Sequence, residues 1–75
     1  MSLPSKVTPY KKSTISKYPI LLAVIKSGAI SPTELFNQTK GQIDVYSMYI
    51  EILDELYALG CINFDSITGR IYYAL

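Results

Sequence analysis

Apolar residues between positions 44 and 60 recur at three- and four-residue spacing, the period of a helix with one buried side. On a helical wheel at about 100° per residue, Val45, Tyr49, Leu53 and Leu56 fall at the centre of the apolar arc. Tyr46, Ile50 and Tyr57 form one edge of it, and Met48, Ile52 and Leu59 form the other. Asp44, Ser47, Glu51, Asp54, Glu55 and Ala58 share the opposite arc. The apolar arc spans roughly 200°, against the ~100° or more that a surface helix needs to face one core. The excess implies either that one edge meets a second chain or that flanking segments of the same chain cover both edges. Gly60 supplies the stop.

Upstream the pattern differs. Residues 1–15 contain Pro4, Pro9, Lys11 and Lys12 among scattered Ser and Thr, with no helical or strand period, and are expected to form an extended arm. Leu3, Val7 and Tyr10 are its anchors, to its own core or to a partner. Ile20 to Ile25 are apolar on every side, which marks a helix covered on most faces. Ser16 would cap this helix, Pro19 suits its first turn, and Gly28 closes it. Ser31-Pro32-Thr33-Glu34 is the sharpest local signal: Ser31 caps, Pro32 takes the first helical position, and Glu34 reaches back toward the cap. Leu35 and Phe36 begin the buried face of this short helix, which Lys40-Gly41 closes.

Downstream the period falls to two. Ile62 and Phe64 share one face of a strand, and Ser66–Gly69 form a turn in which Gly69 takes a positive φ. On the returning strand Ile71 and Tyr73 share a face, while Arg70 and Tyr72 point the other way. Three helices followed by a hairpin define an α+β, mostly α, winged helix-turn-helix in which the hairpin is the wing. The domain is expected to span residues 16–75, after the arm of residues 1–15. The only run approaching a membrane segment, Ile20–Ile25, is too short to cross a bilayer. The N-terminus has no signal-peptide order.

Composition and charge sharpen the functional reading. A 75-residue chain with 49% hydrophobic residues must keep some apolar surface exposed or covered by another chain. Seven of its nine aromatics are Tyr, a residue favoured at interfaces for its apolar body and polar tip. Net charge is +1, but residues 1–40 hold six Lys and one Glu, whereas residues 41–75 hold Arg70 against five carboxylates. The halves therefore carry +5 and −4. A single cysteine, Cys61, suits a reducing cytoplasm and a packing role. With no histidine, no phosphate-cradling glycine loop and no metal-ligand spacing, the chain is expected to be non-enzymatic, without cofactor or metal. Glu51 and Glu55 lie together at i, i+4, but a carboxylate pair needs a pocket before it does acid–base work.

The winged-helix outline raises DNA binding, and the charges argue against it. A groove-reading helix presents Arg, Lys, Asn or Gln outward. Here the third helix offers carboxylates, which repel phosphate. Lys11, Lys12 and Lys17 from the arm side and Arg70 from the wing would supply only weak, salt-sensitive backbone contacts. Nucleic acid is therefore the secondary expectation, in the form of a small DNA-binding regulator. The primary one is a protein interface anchored by Tyr46, Ile50, Leu53 and Tyr57, with Glu51, Asp54 and Glu55 steering basic groups on the partner. Self-association through the same edge is the third.

Leu3-Pro4-Ser5-Lys6, Thr8-Pro9-Tyr10, Ser13-Thr14-Ile15 before a Pro-Ile-Leu-Leu helix, and Leu53-Asp54-Glu55-Leu56-Tyr57-Ala58-Leu59-Gly60-Cys61-Ile62 form a recognisable series. Over nearly the whole chain it resembles the winged-helix middle components of ABC-three-component systems, closest to the group called middle component six. The resemblance implies an adaptor between an SMC-like ABC ATPase and an effector, often a nuclease or another toxic domain. It implies a bacterial conflict or anti-phage defence setting in the cytoplasm, and it carries over no active-site residue.

Overall fold

The computed structural model describes residues 12–43 and 45–75, apart from the side chains of residues 12 and 13. Residues 1–11 of the expected 1–15 arm, with Lys11, and the expected helix start at Asp44 lie outside the described residues. Lys12–Ile15 are not extended, as the sequence suggested, but form a single helical turn, α1. The cause is tertiary: Thr14 is buried and α1 packs against the long third helix of the wing domain. The Lys17 N–H donates to the Thr14 carbonyl at 3.0 Å and ends the turn.

Helix α2 spans Tyr18–Lys26, with Pro19 in its first turn, where a missing N–H costs nothing. Lys17, rather than Ser16, occupies its cap position, and no side chain caps it. Leu21 and Ile25, one turn apart, are buried. Helix α3 covers Pro32–Thr39. It starts as the sequence foretells: Ser31 is extended at φ −71°, ψ 152°, and its hydroxyl accepts the Glu34 N–H at 3.2 Å. Ser31→Ala removes that bond and should cost about 1 kcal/mol of stability, read as a lower urea midpoint with unchanged slope. At the other end the buried Thr39 hydroxyl donates to the Leu35 carbonyl at 2.8 Å, so it is satisfied within its own helix.

Helix α4 spans Tyr46–Ala58. Val45, expected at the centre of the buried arc, stands instead at the cap position, extended and half-exposed. The C-terminus closes in a full Schellman arrangement. Gly60, at φ +80°, donates to the Tyr57 carbonyl at 3.0 Å, and the Cys61 N–H donates to the Leu56 carbonyl at 3.0 Å.

The chain then enters β1 (Ile62–Asp65), turns, and returns antiparallel as β2 (Arg70–Tyr73). The register pairs Ile62 with Tyr73, Asn63 with Tyr72, Phe64 with Ile71 and Asp65 with Arg70. Gly69 has φ +72°, as its turn position requires, and donates to the Asp65 carbonyl at 2.7 Å. The Asp65 carboxylate accepts the Ile67 N–H at 2.9 Å and the Thr68 N–H at 3.4 Å, and these bonds hold its pKa below the ordinary carboxylate range.

A third sheet position comes from the loop before α3. Ile30 bridges Ile71 antiparallel, donating at 3.0 Å and accepting at 2.7 Å. The sheet therefore runs Ile30, β2, β1, with β1 outermost. Leu21 and Ile25 of α2, Leu35 of α3, and Tyr49, Ile52 and Leu56 of α4 meet Ile62 and Ile71 of the hairpin in one core. Three helices ending in a two-stranded wing are thus the winged-helix layout expected from the sequence.

Candidate protein-docking site

Helix α4 sets the site, and the face it buries differs from the one its periodicity suggests. Tyr49, Ile52, Glu55 and Leu56 are buried, while Leu53 is only half-buried. The helix is rotated toward its Met48–Ile52 edge. Glu55, expected on the outward acidic stripe, is 6% exposed. Its Oε1 accepts the Tyr18 hydroxyl at 2.6 Å, a short bond to an ionisable acceptor. Tyr18 and α1 cover the side of α4 that the wheel left to solvent. Glu55 therefore lies beneath the surface, not among the groups that meet a partner first.

The rotation lifts the opposite edge into solvent. Tyr46 and Tyr57 are each 60% exposed. Ile50, Leu53 and Tyr57 line one wall of a groove of about 260 Å³, and Ile62 and Phe64 of β1 line the other. The buried Ile71, the half-buried Pro32 and the exposed Asp54 also line it. Glu51, one turn before, is half-buried. Of the sequence-predicted interface residues, the structure brings Ile50, Leu53, Tyr57 and Asp54 together. Tyr46 is not a groove residue: it packs edge-on against Phe36, centroids 5.2 Å apart at 88°, and lies 5.8 Å from the Tyr49 ring.

Sequence reasoning passed over the groove residues Pro32, Ile62, Asn63, Phe64 and Ile71, of which Phe64 is the most exposed apolar one. It shares a strand face with the buried Ile62, yet it is 48% exposed and lines the groove. Period-two patterning gives the face of a strand and not how far the opposing layer reaches.

Beneath the aromatic cluster, the Tyr49 hydroxyl donates to the Pro32 carbonyl and ties α4 to the start of α3. Burial, with Tyr46 nearby adding to it, pushes the Tyr49 phenol up to about 12 from its ordinary 10.0. Below the ordinary value both folded and unfolded chains keep the proton, and the contribution to stability is full. As pH rises through 10 toward 12 the unfolded chain loses its proton first, so stability falls. Denaturant midpoints measured across that range should drop for the natural chain, and Tyr49→Phe should remove its share of the drop.

Of the four candidate nucleic-acid contacts, the structure describes the side chains of Lys17 and Arg70. Lys11 and the side chain of Lys12 lie outside the described residues. The Lys17 amine donates to the Gln42 carbonyl at 3.3 Å. Arg70 is exposed on the wing and borders a separate polar cleft of about 390 Å³ with Ser27, Glu34 and Gln38. The outward side of α4 carries no Lys or Arg. Among the described residues, no group of three or more His, Cys, Asp or Glu is placed to hold a metal ion. Among those residues, too, no helix is long and apolar enough to cross a membrane.

Comparison with curated proteins and with solved structures gives no match to this chain. Comparison with protein families does: residues 3–71 match the family described as ABC-three component (ABC-3C) system Middle Component 7. The resemblance of the sequence to such middle components is thereby upheld, and its assignment to the sixth group is corrected to the seventh. With the match covering nearly the whole chain, this protein belongs to the Middle Component 7 family of ABC-three-component systems.

Proposed function

We propose that the chain is a non-enzymatic adaptor that holds an SMC-like ABC ATPase to an effector in a bacterial conflict or anti-phage defence system, working in the cytoplasm. Membership in a three-component system makes protein partners part of its setting. One observation carries the reading to a surface: an apolar groove between α4 and the wing, walled by Ile50, Leu53, Tyr57 and Phe64, with the exposed Asp54 also lining it. In a DNA-reading winged helix, the exposed side of the third helix would be cationic. Here Asp54 is exposed on α4, a helix that carries no Lys or Arg. Like charge disfavours phosphate there, while apolar walls favour side chains of another protein.

The test is affinity purification of the tagged chain from its own host, with a parallel sample treated with nuclease. Retention of a large ATPase in both samples is the expected result. Recovery of DNA alone, or loss of every protein after nuclease, would replace the adaptor with a small DNA-binding regulator.

A further inference from the structure

The exposed stripe of α4 reads the same in both directions. Tyr46, Ile50, Leu53 and Tyr57 lie four, three and four residues apart, an aromatic at each end and two aliphatics between. That alternation is the spacing of a two-helix seam, in which each side chain packs among several of the facing helix. Tyr46 and Tyr57 are mostly exposed, and Ile50 and Leu53 keep part of their surface in solvent.

A stripe with this mirror order is its own complement under a two-fold axis. Turned antiparallel about a point between Glu51 and Ile52, it sets Tyr46 against Tyr57 of a second copy and Ile50 against Leu53. The two helix dipoles then oppose one another. Asp54 and Ser47 are both exposed, and at about 100° per residue they flank the stripe on the same side. The antiparallel turn therefore brings each Asp54 beside Ser47 of the second copy and keeps the two Asp54 apart. A parallel pair would align the dipoles and set Asp54 on Asp54.

The wing completes the surface. The groove beside Tyr57 and Phe64 lies at the end of the stripe where Tyr46 of the second copy arrives. At about 260 Å³ it falls below the roughly 300–1,000 Å³ typical of small-molecule sites. We propose that the chain pairs with a second copy of itself through an antiparallel α4 seam, Tyr46 of each copy seated in the groove of the other. Area sets the strength of the pair. At 60, 60 and 48% exposure, Tyr46, Tyr57 and Phe64 together present on the order of 250–400 Å². A standard interface buries about 800 Å² on each partner, so this dimer is weak and exchangeable. The pairing goes beyond the adaptor reading and shares its surface: a partner that takes the groove displaces the second copy.

Sedimentation equilibrium of the full chain from about 10 μM to about 1 mM tests the pairing, a range that suits weak association. The mass is expected to climb from that of a monomer toward twice that value. Tyr57→Ala should weaken the dimer at least about tenfold. Ser47→Lys should strengthen it about 2- to 10-fold at low salt, because the added cation meets Asp54 of the second copy, and Asp54→Asn should cancel that gain. A monomer mass across the whole range would overturn the dimer. A dimer indifferent to Tyr57→Ala would overturn this surface. No gain from Ser47→Lys, or a gain that survives Asp54→Asn, would overturn the antiparallel register. A monomer mass together with an ATPase retained after nuclease treatment would remove the pairing and leave the adaptor role standing. A dimer without a retained protein would do the reverse.

Discussion

Leu56→Ala should lower the stability of this domain by about 2–5 kcal/mol, close to the whole margin on which it folds. Leu56 is fully buried and belongs to the core where α4 meets α2, α3 and the hairpin. Truncation removes its transfer free energy and leaves a cavity that a tightly connected small core can only partly close. A 75-residue domain has about 4–11 kcal/mol of stability in total at typical values per residue. The variant should therefore show a much lower urea midpoint, or a substantial unfolded fraction in water. Leu59→Ala is the control: the same change at the C-cap of the same helix, at a half-exposed position, should stay within about 0.5 kcal/mol of the natural chain. Equal losses at the two positions would mean that α4 does not face the core as described.

The contrast between Leu56 and Leu59 bears on what the sequence discloses. Features carried by local chemistry were legible. Ser31-Pro32 at the start of α3, Gly60 at the end of α4 and Gly69 in the wing turn each hold a backbone position that few other residues suit, so the order of helices and hairpin could be read directly. The orientation of α4 could not. Its apolar residues cover so much of the wheel that several rotations bury nearly equal area, and the choice among them is made elsewhere. Tyr18 reaches Glu55 from 37 residues away, and the turn α1 packs on the same helix. Long-range contacts of that kind leave no trace in periodicity. Glu55 was accordingly placed outside and Val45 inside, and both placements reversed. Ile30 was missed for a related reason: one residue bridging Ile71 between two helices has no strand period to reveal it.

The same rotation explains why Ile50, Leu53 and Tyr57 still lie together despite an inexact wheel. Turning α4 toward Ile52 carried Ile50, Leu53 and Tyr57 as a unit to the wing, because residues three and four apart move together on a helix. Glu55, on the other side, was carried inward and left the stripe. The acidic character of the groove now rests on the exposed Asp54, with Glu51 one turn before it. A smaller acidic surface beside a better-defined apolar groove shifts weight from long-range steering to close contact. Exposed charge beside such a groove acts mainly on association rate and salt dependence, whereas groove anchors act mainly on dissociation.

Tyr57→Ala tests that division. The ring is 60% exposed in the isolated chain and forms part of the groove wall, so its removal opens no core cavity and should leave the urea midpoint within about 0.5 kcal/mol. Its loss should instead weaken the complex with the protein retained after nuclease treatment by about 1–4 kcal/mol, roughly 5- to 1,000-fold in Kd. Most of the change should fall in the dissociation rate. Asp54→Asn, at an exposed position, should change the association rate and flatten its salt dependence while altering dissociation little. An unchanged Kd for Tyr57→Ala, with the fold intact, would take Tyr57 out of the interface and direct the search to Tyr46, which packs with Phe36 and Tyr49 at the other end of the helix.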